Sequence, residues 1–144
     1  MIPARLESFA EFKERAPDGQ VQVAPTASQT YGHNPYVSYD SLAQPFLYIG
    51  PLPLEIAPLA RVVRVGDQAW SLALLRERGE ILVDDLRLTW QPGQASALDT
   101  DVIAEGADVG NVLIERRTAD GWQDAVYFAF AFHAFHPEGT LHTE

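Results

Sequence analysis

The residues most able to do chemistry in this chain are its histidines and a cluster of aromatic and polar side chains. His133 and His136 lie three positions apart, so on a helix they share a face and could ligate one divalent metal. His33 and His142 could complete such a site, and a metal-dependent enzyme using His33, His133 and His136 is one reading. No acid lies inside the 133–136 pair, so this is not the HExxH of a metalloprotease. Histidines flanked by Phe132 and Phe135 serve equally well as packing or surface residues. Asp99, Asp101 and Glu105 carry the oxygen ligands calcium prefers. Ile103 stands where an EF-hand would place a ligand, which leaves a solvated acidic loop as the plainer reading.

Tyr31, His33, Asn34, Tyr36, Tyr39 and Asp40 form a second group, to which Trp90 could add a ring. Such rings stack on sugars or attract cations, and Asn34 and Asp40 supply polar groups beside them. The competing reading is a loop tied to the core by its aromatics. Ser96 can be drawn into a triad with His33 and Asp99, but Gln94-Ala95-Ser96-Ala97-Leu98 is not the Gly-x-Ser-x-Gly of a hydrolase elbow. The glycines never cluster as a phosphate loop requires.

The elements that must position these residues are mostly strands. Leu86, Leu88 and Trp90 alternate with Arg87, Thr89 and Gln91, the period of a strand with one buried face. Asp84-Asp85 before it reads as a tight turn, and Pro92-Gly93 ends it. Residues 61–65 and 68–71 are strands joined at Gly66-Asp67, where Gly in first place suits a type II′ turn. Leu72 to Arg78 is a helical turn or two closed by Gly79; 81–83 and 109–116 are further strands. Residues 5–15 read as a short amphipathic helix stopped by Pro17-Asp18-Gly19, with a short strand around Val21 and Val23. Residues 24–58 are Pro-rich yet aromatic, which predicts a long ordered loop. Residues 125–136 predict a second short helix, because Phe132 to Leu141 repeats the pattern of Phe12 to Val21: aromatic, four residues, Pro, acid, Gly, one residue, aliphatic. The expected architecture is a β-rich α+β domain spanning 1–144, with a central antiparallel sheet and these helices beside it.

At 144 residues the chain suits one domain. Its net charge of −10, with no basic cluster, makes a nucleic-acid partner unexpected and anionic membrane surfaces unfavourable, while weakly favouring cationic ligands. There is no cysteine, so disulfides, thiolate metal sites and Cys nucleophiles are excluded. No apolar run approaches the roughly 20 residues of a membrane span, and the N-terminus lacks the apolar core of a signal peptide, so the chain as written is expected in the cytoplasm.

Three stretches carry a family likeness: the two helix ends at Ala16-Pro17-Asp18-Gly19 and His136-Pro137-Glu138-Gly139, the segment Ala69-Trp70-Ser71-Leu72-Ala73-Leu74-Leu75-Arg76, and Trp90 to Asp99. Together they resemble the prokaryotic family known as domain of unknown function 3179, in a shortened form. Many members of that family carry Cys-Pro-x-Cys where Gln91-Pro92-Gly93-Gln94 stands here, and a longer region where Thr118 to Ala125 stands. The resemblance implies a fold and, for many members, export or lipid anchoring; it implies no activity. The leading functional expectation is a non-catalytic binding or interaction module for a small molecule or protein, using Tyr31, His33, Asn34, Tyr36, Asp40 and Trp90. A metal-dependent enzyme, with a divalent metal at His133 and His136, and a shortened paralogue with a structural, homo-oligomeric role are the alternatives.

Overall fold

The computed structural model describes residues 7–23, 33–116 and 126–143. The fold is α+β, with seven strands among the described residues divided between two sheets rather than gathered in the single antiparallel sheet expected. Helix α1 (Phe9–Arg15) opens on a capping box. Ser8 Oγ accepts the Glu11 N–H and Glu11 Oε2 accepts the Ser8 N–H, which satisfies two of the donors a helix start leaves open. The helix ends at Ala16, ahead of Pro17. No strand follows: Val21 and Val23 are 54% and 78% exposed and pair with nothing in either sheet.

Strands β1 (Arg61–Val65) and β2 (Gln68–Ser71) form the expected hairpin, with Val63 opposite Trp70 and Val65 opposite Gln68. Gly66 has φ +59° and Asp67 is not in the positive range, as a type II′ turn requires. Helix α2 (Leu72–Arg78) starts directly from β2, because Ser71 Oγ accepts the Leu74 N–H and so converts a strand end into an N-cap. Strands β3 (Glu80–Val83) and β4 (Leu86–Gln91) turn at Asp84-Asp85, and β5 (Asn111–Arg116) lies antiparallel along β4. It begins two residues later than expected, since Val109 gives its N–H to Gln94 instead of to a strand.

The last segment departs most from expectation. Residues expected to be helical over 125–136 divide into strand β6 (Val126–Phe128), antiparallel to β1, and helix α3 (Ala129–Phe135). The edge of β1 supplies partners for the first residues, and the carbonyls of Ala60 and Pro58 accept the N–H groups of Ala129 and Phe130, fixing where the helix starts. Strand β7 (Thr140–His142), absent from the sequence reading, lies parallel to β2. The sheet orders are therefore β6-β1-β2-β7 and β3-β4-β5.

Alternation along the β1–β2 hairpin sends its side chains to two cores. Val63 and Trp70 join Leu72, Leu74 and Leu75 of α2 and Leu86, Leu88 and Ile114 of the second sheet. Val62 and Ala69 pack with Ala129 and Phe132 of α3, with Ile56 and Leu141 at the margin. Residues 33–60 run irregularly but are held by rings: Tyr39 lies 4.9 Å from Phe46 and Tyr48 lies 5.2 Å from Phe130. Among the described residues no helix is long and apolar enough to cross a membrane.

The internal repeat is structural. Ala16 and His136 close their helices with φ, ψ of −136°, 72° and −132°, 68°, and each gives its N–H to the phenylalanine carbonyl four residues back. Gly19 and Gly139 each bond back to the carbonyl of that capping residue. A Cβ on Gly139 would lie 2.7 Å from Phe132 Cζ and 2.9 Å from the Asp67 carbonyl; on Gly19 it would lie 2.5 Å from Phe12 Cζ. The two units differ in what they rest on, since Phe132 is buried in the core and α1 has no buried residue. Gly139→Ala is therefore expected to lower global stability in urea by about 2 kcal/mol, because Phe132 and the β2 turn cannot yield together. Gly19→Ala should shift it by no more than about 0.5 kcal/mol, and equal losses would contradict the peripheral placement of α1.

Candidate functional site

A cleft of about 820 Å³ opens between the 55–61 segment, α2 and the loop around Asp108. Leu59, Leu72 and Val109 give it an apolar floor, and Asp40, Arg61, Arg76 and Asp108 bring charge to its walls. Arg61 comes from the first residue of β1 and shares the α2-facing side of that strand with Val63. Asp40 comes from a 3-10 turn at Tyr39–Ser41, entered through Ser38 in the left-handed region at φ 61°.

These two meet Ser96 in one hydrogen-bonded node. Arg61 Nη2 donates to Asp40 Oδ2 at 3.0 Å and to Ser96 Oγ at 2.9 Å. The Ser96 hydroxyl donates to the same Asp40 oxygen and accepts the Leu98 N–H. Ser96 is 1% exposed, so its hydroxyl is a buried structural donor held by a carboxylate and a guanidinium. Asp40 Oδ1 is buried and has no partner. A buried acceptor without a donor is costly, and such atoms mark places to look for a ligand or an ordered water.

The other wall is built around Asp108. Its Oδ2 accepts the Gly93 N–H at 2.9 Å, and its Oδ1 accepts those of Gln94 at 3.1 Å and Gly110 at 2.9 Å. The backbone donors of Gly93 and Gly110 hold this carboxyl below the ordinary carboxylate range, with a further pull from Arg76. Gly110 has φ +72°, and a Cβ there would lie 2.0 Å from Trp90 Nε1, so the chain must be bare where it crosses the indole. Arg76 from α2 covers the same indole, its guanidinium carbon 5.4 Å from the ring centroid.

The residues singled out from sequence are only partly brought together. Asp40 lines the cleft, and Trp90 lies beneath Arg76 at its edge. His33, Asn34 and Tyr36 sit where their loop docks on residues 99–108: Asn34 gives its N–H to Asp101 and its Oδ1 accepts the Tyr36 N–H, while His33 Nδ1 lies 3.2 Å from Asp101. Tyr31 lies outside the described residues. His136 is engaged on both ring nitrogens: Arg64 donates to Nε2 at 2.8 Å, so Nδ1 carries the proton and faces Asp67 at 3.0 Å. His133 is on α3, whereas His33 bridges to Val102 in the 99–108 loop. His142 stacks on Trp70 at 4.9 Å. Among the described residues no group of three or more His, Asp or Glu is placed to hold a metal ion. The acids at 99–105 serve the loop itself, as Asp99 Oδ2 accepts the Ala107 N–H. Ser96 has Asp40 and Arg61 as its side-chain partners.

The profile of the family described as "Protein of unknown function (DUF3179)" matches residues 1–139, and the chain belongs to that family. No curated protein and no solved structure matches it.

Two measurements probe the walls. Asp40→Ala leaves Arg61 partly buried without its carboxylate and should cost about 3 kcal/mol in urea, against about 1 kcal/mol for Ser96→Ala. A loss under about 1 kcal/mol for Asp40→Ala would show the node to be incidental. Asp108 binds its proton more weakly folded than unfolded, so the unfolded chain takes up more protons on acidification. Its contribution is fully present above the ordinary value of 3.8 and is lost as pH falls through its lower folded value. Asp108→Asn should thus flatten the acid limb of a stability–pH curve below about pH 4, and an unchanged limb would refute the cradle.

Proposed function

We propose that this member of the DUF3179 family is a non-catalytic ligand-binding module whose site is the cleft between the 55–61 segment, α2 and the Asp108 loop. The observation that carries this reading is the cleft itself. Its volume of about 820 Å³ falls in the range of small-molecule sites. An apolar floor with a few convergent charged groups, one of them bearing an unpartnered buried oxygen, is the composition such sites have. The expected aromatic loop enters this site by way of Asp40; its rings pack on one another and on Phe128.

Support for a binding role over a catalytic one comes from the chemistry of the walls. Among the described residues no histidine lines the cleft. Ser96 is 1% exposed and its hydroxyl is not among the cleft's lining groups, so a substrate in the cleft does not reach it. A second reading, docking to a protein partner or a second copy of the chain, draws on Leu47, Ile49 and Leu54, which are fully exposed on one stretch of the 33–60 segment.

Ala73 lies on the exposed side of α2 and lines the cleft, so a large side chain there fills the site without entering the core. A thermal-shift screen over sugars, amines and carboxylates should yield at least one class that raises Tm, by roughly 4 °C at tenfold over its Kd. Ala73→Trp should abolish that shift while retaining the parent melting temperature within about 2 °C. Absence of any stabilising class, or stabilisation that survives Ala73→Trp, would refute this assignment of the site.

A further inference from the structure

We infer that the ligand of this cleft carries a carboxylate group and that Arg76 is the side chain that receives it. The inference rests on the cleft being the binding site and adds the chemical class of what enters.

Two guanidinium groups line the cleft, and they are in different states. Arg61 spends Nη2 on Asp40 and Ser96 and is locked in the node. Arg76 is held in place by the face of Trp90 alone; among the described residues it has no hydrogen-bonded acceptor and no carboxylate within ion-pair distance. The acid whose charge it senses is Asp108, and that carboxylate is already filled by three backbone N–H groups. Arg76 is therefore a cation with unused donors, on the wall of a cleft with an apolar floor.

That state suits one kind of partner. A cation–π contact with the indole uses none of the guanidinium N–H groups, and a parallel pair of them matches the two oxygens of a carboxylate. The ring underneath has already restricted the side chain, so little more order is lost on binding. Charge decides between anions. Asp40, Glu55, Glu77 and Asp108 also line the cleft, and a dianionic phosphate would meet all of their repulsion with one free arginine to offset it. A single negative charge at the Arg76 edge is the smaller demand. Leu59, Leu72 and Val109 supply apolar surface for the rest of the molecule. The class is thus a monocarboxylate with an apolar body, whether a free acid or the C-terminus of a peptide ending in an apolar residue.

The test uses the whole chain and a matched set of probes: hexanoate, benzoate, hexanol, hexylamine, inorganic phosphate, and a short Leu-terminated peptide as acid and as amide. Binding is followed by amide chemical-shift titration, with Ala73 and Val109 reporting the cleft. Hexanoate or benzoate, or the peptide acid, should shift those amides, and hexanol, hexylamine, phosphate and the peptide amide should not. Which acid binds more tightly distinguishes the two sources. Arg76→Gln, at an exposed position that leaves the fold intact, should weaken the carboxylate about tenfold or more, and Arg76→Lys should weaken it less. Equal binding of hexanol, hexylamine or phosphate at the same amides would overturn the carboxylate class while keeping the cleft as a site. Carboxylate affinity unchanged in Arg76→Gln would overturn the role of Arg76. Shifts confined to residues outside the cleft, or none at all, would remove both the inference and the reading beneath it.

Discussion

The β1–β2 hairpin is covered on both faces, and that double burial is the constraint on which the rest of the structure depends. Val62 and Ala69 face α3, Val63 and Trp70 face α2 and the second sheet, and the first three are fully buried. Because strand side chains alternate strictly, a slip of one residue in this hairpin would exchange the two cores and spoil both. The Gly66-Asp67 turn sets the register, and both outer edges of the hairpin are then used: β6 on one side and β7 on the other. Both edge strands are three residues long, which leaves little unpaired backbone to attract another chain.

The site inherits its geometry from the same hairpin. Arg61 is the first residue of β1, and strand parity turns it toward α2 instead of α3. Its two partners arrive from segments remote in sequence, so one guanidinium ties the 33–60 segment and the 94–98 segment to the sheet. A mostly buried ion pair gives little net stability, since desolvation offsets most of the attraction. What it gives is position: the node fixes one wall of the cleft, and the filled carboxylate of Asp108 fixes the other.

Much of the fold was legible because its signals are local. The alternation through Leu86, Leu88 and Trp90, the two-residue turns at Gly66-Asp67 and Asp84-Asp85, and the Gly79 stop all act within a few residues, and each appears where the pattern placed it. The matched Pro-acid-Gly endings were visible for the same reason. What could not be read was pairing at a distance. Val126 to Phe128 carries as good a helical pattern as a strand pattern, and the exposed edge of β1 decides between them. Strand β7 is three residues beside a parallel partner some seventy positions away. Arg61 and Arg76 had no local feature to mark them, because one is defined by contacts to Asp40 and Ser96 and the other by a ring across the sheet. Asp40 and Trp90 were chosen as members of an aromatic cluster; the structure keeps both near the cleft, each for a reason other than stacking among those rings.

The paired helix endings have a modular consequence. Each is a self-contained joint, a helix closed over its own phenylalanine by a glycine, and the second joint shows what it fits: the turn of a β-hairpin, where Thr140 bonds to the Asp67 carbonyl and a strand is added in parallel. The first joint has the same form, and among the described residues the atoms closest to its glycine are those of Phe12 and Ala16, with no hairpin turn against it. The same closure forms with and without a hairpin turn against its glycine, so the ending is set by its own backbone bonds and not by the surface it rests on.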